Sequence, residues 1–196
     1  MTVEGATDGA GGPDGRVGAI TVLAAVLLLA VSARFSVPIP GSPVPQSAQT
    51  LAVVVVGAVL GARMGFAALA AYLLAGAVGA PVFADGAAGA AHLVGPTSGY
   101  LLGFLVAAGV LGQLTDRGHL NSIPRAAAWM AAAHGLILLL GGARLSTTLG
   151  LSGALEAGVT PFLWGGVVKS LAGAAIALPL RRRVGSVLST SSGSES

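Results

Sequence analysis

The stretch LAVVVVGAVLGARMGFAALAAYLLAGAVGA, Leu51–Ala80, contains two apolar runs joined with almost no linker. The runs cover Ala48–Ala62 and Gly65–Ala80, so the connection around Gly61–Met64 leaves almost no room between them. Each run is shorter than the ~20 residues that usually cross a bilayer, so we expect it to extend into its flanking segment. The stretch predicts a tight helical hairpin, in which the second helix returns beside the first.

The composition of the whole chain places this hairpin in a membrane. Of 196 residues, 54% are hydrophobic and 9% are charged, whereas soluble domains carry about 25% charged residues. The chain has no cysteine, which excludes disulfides, iron–sulfur clusters and cysteine-bound zinc. No basic patch is interleaved with aromatic residues, so we expect no nucleic-acid partner. The composition predicts an integral protein of the lipid bilayer.

Six apolar segments predict an all-α membrane protein with six transmembrane helices. The segments are Val17–Ala33, Ala48–Ala62, Gly65–Ala80, Thr97–Gln113, Arg125–Gly141 and Pro161–Leu180. Polar residues rich in Gly and Ser flank them at both ends of the chain. We therefore expect a disordered cytoplasmic tail over residues 1–16, a six-helix domain over 17–183 and a second disordered cytoplasmic tail over 184–196.

Charge and loop length orient the bundle in the cell membrane. If both termini are cytoplasmic, seven arginines lie inside: Arg16, Arg63, Arg117, Arg125, Arg181, Arg182 and Arg183. Only two then lie outside, Arg34 and Arg144, as the positive-inside rule requires. The long loops fall on the outer side: Arg34–Ser47, Pro81–Pro96 and Gly142–Thr160. Because long ordered loops tend to carry function, we expect a site that opens to the outside.

Small residues at four-residue spacing predict close helix packing within the bundle. Three series occur: Gly57, Gly61 and Gly65; Ala67, Ala71, Ala75 and Gly79; and Gly99, Gly103 and Ala107. The alternative is chance, because Ala and Gly are abundant throughout this chain.

Lys169, the only lysine, is the strongest candidate for ligand contact. It lies about 12 Å along a helix from Pro161, and a lysine near the bilayer centre costs ~2.5–3.5 kcal/mol. We expect it to face the bundle interior and a ligand; alternatively it reaches the interface or pairs with Glu156. Arg34 has two possible roles, contact with an anionic group of the ligand or a position at the membrane interface. Tyr and Trp are often interfacial anchors, so structural roles compete with ligand contact for Tyr100 and Trp164.

The predicted topology does not bring together the residues of an enzyme active site. His92 and His119 fall on opposite sides of the membrane, and so do Asp85 and Asp116. No metal cluster or catalytic carboxylate pair therefore forms. The sequence has no G-x-S-x-G and no Walker loop. We expect a protein that is not an enzyme and needs no cofactor, and any ATP-driven step would belong to another chain.

Four motifs resemble the BioY family, the substrate-binding S components for biotin in energy-coupling factor (ECF) transporters. They are P-x-x-x-Q-T at Pro45–Thr50, Y-L-L-x-G-x-x-G-x-P-V-F at Tyr72–Phe83, G-P-T-x-G-Y at Gly95–Tyr100, and PFLWGGVVK at Pro161–Lys169. The resemblance covers residues 17–180 and implies an S-component-like bundle with long extracytoplasmic loops. It also implies biotin capture, a transmembrane coupling subunit and two ATP-binding subunits.

The resemblance suggests roles for individual residues. Phe83, Tyr100 and Trp164 would form apolar walls, and Gln49 would bond the ureido group. The proline-rich strap, Pro38–Pro45, would be a rigid wall or lid over the pocket.

The charged groups leave two questions open. Lys169 or Arg34 would meet the biotin carboxylate. Many family members have an acidic residue three positions before the lysine, where this chain has Gly166; Asp85 is a candidate to replace it.

Three other functions compete with biotin capture. An S component for thiamine or riboflavin would keep the fold and change the ligand. A self-sufficient secondary transporter would be expected to show internal repeats, and none is evident here. An intramembrane enzyme lacks an assembled catalytic group.

Overall fold

Helices make up most of the fold in the computed structural model, which describes residues 13–192. The long helices are α1 Pro13–Arg34, α2 Gln49–Ala77, α3 Ser98–Asp116, α4 Ile123–Ala154 and α5 Leu163–Ser192. Two short antiparallel strands, β1 Ser36–Val37 and β2 Gln46–Ser47, follow α1. Short 3-10 or π turns occupy Ala84–Gly86, Ala90–Leu93, Leu155–Val159 and Thr160–Phe162.

Within the described residues, four stretches are long and apolar enough to cross a membrane. They are Gly15–Arg34, Gln49–Ala77, Ser98–Asp116 and Ile123–Val184. Helix also extends into both expected tails, because α1 begins at Pro13 and α5 ends at Ser192. The remaining tail residues, 1–12 and 193–196, lie outside the described part of the chain.

Helix α2 reverses direction at Gly61, which divides it into arms of residues 49–60 and 62–77. Gly61 has φ 76° and ψ −179°, a conformation that favours glycine. A Cβ atom built on Gly65 would lie 3.3 Å from the Gly57 Cα, and the Gln49 side chain reaches the Tyr72 hydroxyl. Such contacts are impossible in one straight helix, where these pairs would lie far apart. The predicted hairpin is confirmed.

The chain also reverses at Gly150, where the sequence predicts a long loop. Gly150 has φ 73°, and residues beyond it pack back on α4: a Cβ on Gly142 would lie 2.9 Å from Val159. The expected outer loop Gly142–Thr160 is therefore wrong, because the segment is helical up to the turn at Leu155–Val159. It contains no proline and is rich in Leu and Ala, so one glycine in the left-handed region provides the whole turn.

Glycine allows the helices to approach closely. Cβ atoms on Gly57 and Gly103 would lie 2.8 Å from the Ala108 Cα and 2.9 Å from the Ile137 Cα, respectively. These contacts confirm the packing predicted for the Gly57 and Gly99 series. The packing face predicted for the series from Ala67 to Gly79 is wrong, because both end residues of the series are exposed.

The bundle has two distinct ends. The strap end holds residues 35–48, residues 78–97 and the Gly150 turn, and the Gly61 end holds the α2 reversal and residues 117–122. At the Gly61 end, the Asp116 carboxylate accepts a 3.0 Å hydrogen bond from the Ala62 backbone N–H. The Thr115 hydroxyl donates to the Ala58 carbonyl at 3.0 Å, and Arg181 donates to the Thr115 carbonyl at 2.9 Å. These bonds fix the reversal against α3 and α5.

Candidate functional site

The proline-rich strap folds into a short ribbon at the mouth of the bundle. Ser36 pairs with Ser47, and Val37 with Gln46, as neighbouring antiparallel residues. Between the two strands the Ser42 hydroxyl contacts both the N–H and the carbonyl of Val44 at 3.0 Å. The strap therefore holds a defined shape, with its second half lying over a cavity in the bundle.

The loop of residues 78–97 closes the same cavity from another side. Phe83 is buried and lies edge-on to Tyr72, with ring centroids 5.7 Å apart. Its ring occupies the space where a Cβ on Gly76 would be. Asp85 adopts φ 56° and accepts a hydrogen bond from the Ser36 hydroxyl. This bond ties the loop to β1 and stabilises a backbone conformation that non-glycine residues rarely adopt.

The cavity has a volume of about 290 Å³, close to the lower end of the range for small-molecule sites. Five parts of the chain after α1 contribute to its wall: the strap with the start of α2, residues 78–97, α3, α4, and residues 162–169 at the start of α5. The lining residues are Pro43, Val44, Pro45, Gln46, Ser47, Gln49, Thr50, Phe83, Ala84, Asp85, Ala87, His92, Thr97, Tyr100, Leu101, Phe104, His134, Ile137, Leu138, Phe162, Gly166 and Lys169.

Lys169 places its ammonium group at this cavity. Nζ donates to the Ser47 carbonyl at 2.5 Å and to the Thr50 hydroxyl at 3.2 Å. Both partners are uncharged, and no ion pair to Lys169 forms among the described residues. Glu156 instead lines a separate groove, so the expected alternative of a Lys169–Glu156 pair is wrong. A positive charge beside a cavity, without a counter-charge, favours an anionic ligand.

A chain of hydrogen bonds through Tyr72 orients the side-chain amide of Gln49, which lines the cavity. The Tyr72 hydroxyl donates its one proton to the Val82 carbonyl at 2.8 Å, so it accepts from Gln49 Nε2. This fixes the amide orientation, with Nε2 directed at Tyr72 and Oε1 as the acceptor of the same amide. Gln49 is 3% exposed and lines the cavity, so an amide carbonyl held in this way is a suitable acceptor for a ligand N–H.

Among the predicted aromatic residues, two line the cavity and one does not. Phe83 and Tyr100 both contribute to the wall. The Tyr100 ring packs directly on Gly141, and its hydroxyl donates to the Gly158 carbonyl at 2.7 Å. Trp164 lies outside the lining set and is 81% exposed. Its position near the end of a membrane helix suits an interfacial anchor.

Arg34 is also outside the cavity. Its guanidinium donates to the Pro81 carbonyl at 2.7 Å and lies beside Gly86, so it fastens α1 to the loop of residues 78–97. Asp85 lines the cavity, but its carboxylate already accepts from Ser36.

The structure adds His134, which the sequence analysis did not assign to the site. His134 is 5% exposed and lines the cavity. Its Nδ1 lies 2.9 Å from the Met130 carbonyl and 3.0 Å from the Ser170 hydroxyl. Nε2 is buried without a partner, as is Oε1 of Gln46. A lone histidine in an apolar helix gives no sequence signal of this kind, because its role depends on packing across α4 and α5.

The fold is that of an S component. The solved structure of the S-component for biotin from an ECF-type ABC transporter matches with a TM-score of 0.76, covering 85% of this chain and 91% of that chain at 21% identity.

The sequence comparisons give the family. The BioY family model matches residues 14–186, and the chain belongs to that family. The biotin transporter BioY of Thermotoga maritima is 38% identical over 79% of this chain and 90% of its own length. The probable biotin transporter BioY of Pyrococcus horikoshii is 35% identical over 78% and 88%. The biotin transporter BioY of Rhizobium etli is 35% identical over 79% and 87%.

Proposed function

We propose that this protein captures biotin from outside the cell, as the membrane-embedded S component of an ECF transporter. The observation that carries this proposal is the Lys169 ammonium, which lines the cavity with only uncharged partners. Biotin is a monocarboxylate, and Lys169 offers its carboxylate a charge-assisted hydrogen bond. The names of the relatives favour biotin over thiamine or riboflavin, and over a secondary transporter.

Of the two basic residues considered for the carboxylate, we favour Lys169 over Arg34. The Arg34 guanidinium lies outside the cavity and is already bonded to the Pro81 carbonyl. At the other end of the ligand, Gln49 Oε1 accepts from a ureido N–H, while Phe83 and Tyr100 form walls for the ring system. Buried polar groups of this kind give specificity, because a ligand without the matching group leaves them unpaired.

We further propose six membrane crossings with both termini in the cytoplasm. The reversal at Gly61 supports two crossings within α2, and α1, α3, α4 and α5 supply the other four. The Gly61 end then faces the cytoplasm together with Arg63 and the arginine run Arg181–Arg183, in agreement with the positive-inside rule. The strap end faces outward, where biotin arrives.

For energy coupling we propose a transmembrane coupling subunit and two ATP-binding subunits as partners. The likeness to an S component of an ECF-type transporter supports this assembly. The assignment makes the chain a binding and transport component rather than an enzyme.

Equilibrium binding of labelled biotin to the purified, detergent-solubilised protein tests the proposal, with thiamine and riboflavin as competitors. We expect competition by unlabelled biotin alone. Lys169→Met should weaken binding on the order of 100-fold, since it removes one partner of a buried charge pair. Arg34→Met is the control, and should change affinity far less. Absence of biotin binding by folded wild-type protein would reject the proposal.

A further inference from the structure

His134 has a tautomer that its neighbours define. The Ser170 hydroxyl donates its proton to the Gly166 carbonyl at 2.7 Å, and the Met130 carbonyl has no proton to give. Both groups near Nδ1 are therefore acceptors, so Nδ1 carries the hydrogen. Nε2 of the neutral ring then holds a lone pair and accepts hydrogen bonds.

The neutral ring fits the surroundings of His134. The side chain is almost completely buried, and no carboxylate pairs with it among the described residues. A buried imidazolium without a counter-charge would carry a large desolvation cost. The ring is also held rigidly, because Nδ1 is anchored to its own helix and to α5.

The unpaired Nε2 requires a partner. Nearly all buried polar atoms in folded proteins are hydrogen-bonded, so an orphan acceptor beside a ligand cavity indicates a missing donor. Gly166 lies beside His134: a Cβ there would be at an ordinary contact distance, 3.5 Å, from the His134 Cβ. Position 166 brings no side chain of its own to the cavity, and the acceptor comes from the facing helix instead.

We propose that His134 is a specificity residue whose Nε2 accepts a hydrogen bond from a ring N–H of the ligand. This inference rests on the proposed function, which supplies a ligand with two ureido N–H groups. Gln49 Oε1 and His134 Nε2 give the cavity wall two neutral acceptors, on different helices, for those donors. With these acceptors the cavity selects a cyclic urea, although the protein has no carboxylate at position 166.

Ligands that differ in one N–H test this assignment. Biotin is compared with its two cyclic carbamate analogues, in each of which oxygen replaces one ureido N–H. Wild-type protein should bind at least one analogue roughly 10- to 100-fold more weakly than biotin, because an acceptor loses its donor. In His134→Phe, biotin should weaken by a similar factor, and the preference over one analogue should fall to about one.

Matched variants separate the possible explanations. His134→Gln, which restores an amide oxygen near the Nε2 position, should recover part of the preference for biotin. His119→Phe changes an exposed histidine and should leave affinity and preference unchanged. If His134→Phe does not fold, His134→Met, with a flexible apolar chain, gives the same comparison.

The outcomes distinguish the two proposals. Wild-type protein that does not bind biotin contradicts the proposed function itself. Wild-type binding with an unchanged preference in folded His134→Phe or His134→Met overturns the role of His134 alone, and then an ordered water is the partner of Nε2. A preference that collapses in these variants establishes the contact.

Discussion

The two ends of the bundle use polar groups in opposite ways. At the Gly61 end, Asp116, Thr115 and Arg181 all hydrogen-bond backbone groups of neighbouring segments. At the strap end, Lys169 has no counter-charge among the described residues, and the buried atoms Gln46 Oε1 and His134 Nε2 have no hydrogen-bond partner there. Satisfied groups rigidify a structure, whereas unsatisfied groups next to a cavity are available to a ligand. The Gly61 end is therefore held together by its internal hydrogen bonds, and the strap end is a receptive end, with polar groups available to a ligand.

Glycine serves both ends, with different consequences. A Cβ on Gly112 would lie 2.5 Å from the Ala62 backbone nitrogen, so this glycine permits contact between two backbones. A Cβ on Gly166 would meet only the His134 side chain at 3.5 Å, an ordinary contact distance. The same substitution should therefore damage folding at one end and binding at the other.

The largest effect is expected for Gly112→Val. Backbone atoms of Gly61 and Ala62 cannot move aside without opening the reversal of α2, so the cost should exceed about 3 kcal/mol. Gel filtration and a thermal unfolding scan in detergent should show little or no folded protein. Gly135→Val is the matched control, because nothing lies within 4 Å of a Cβ at Gly135. Folded Gly112→Val protein with wild-type thermal stability would break the comparison.

Gly166→Val should have the next largest effect, and it should act on binding. The variant is expected to fold, since its Cβ meets an ordinary neighbour, but its methyl groups occupy space in the cavity. Biotin affinity should fall on the order of 10-fold or more, with a melting temperature near that of Gly135→Val. Unchanged affinity would place the biotin site outside this cavity.

The sequence predicts the elements whose signals are local. The short spacing around Gly61 indicates the α2 hairpin, and Gln49, Phe83 and Tyr100 all reach the cavity. The predictions that fail depend on how separate elements pack against each other, which a local sequence pattern does not contain. The Gly150 turn looks like a loop because a glycine in a stretch that mixes Ser, Thr and Gly with Leu and Ala fits both a loop and a helical hairpin.

Side-chain direction is the other source of error. Trp164 lies two residues before the cavity-lining Gly166 yet faces outward, since its direction around the helix axis depends on how α5 packs. His134 becomes part of the site only through its contacts with Met130 and Ser170. Neither outcome follows from spacing along a single helix.

Tyr72→Phe sharpens the comparison by removing one hydroxyl from the receptive end. The Val82 carbonyl and Gln49 Nε2 both lose their partner, so the free energy of unfolding should fall by about 1–3 kcal/mol. Biotin affinity should fall roughly 5-fold, because the Gln49 amide is free to turn. Thr148→Val is the control, since that hydroxyl bonds only its own helix. Equal effects of the two variants would show that Tyr72 does not orient Gln49.

The smallest effect is expected from the strap, where proline maintains shape rather than contact. Replacing Pro40 with alanine adds conformational freedom at a residue outside the cavity lining, and should weaken biotin binding about 2- to 5-fold. Pro43→Ala should weaken it somewhat more, because Pro43 also lines the cavity. Pro179→Ala, in α5, controls for proline removal in general. If both strap variants keep wild-type affinity and dissociation rate, the strap is a passive linker. Weaker biotin binding by Pro40→Ala would show that stiffness of the strap contributes to capture even where the residue does not line the cavity.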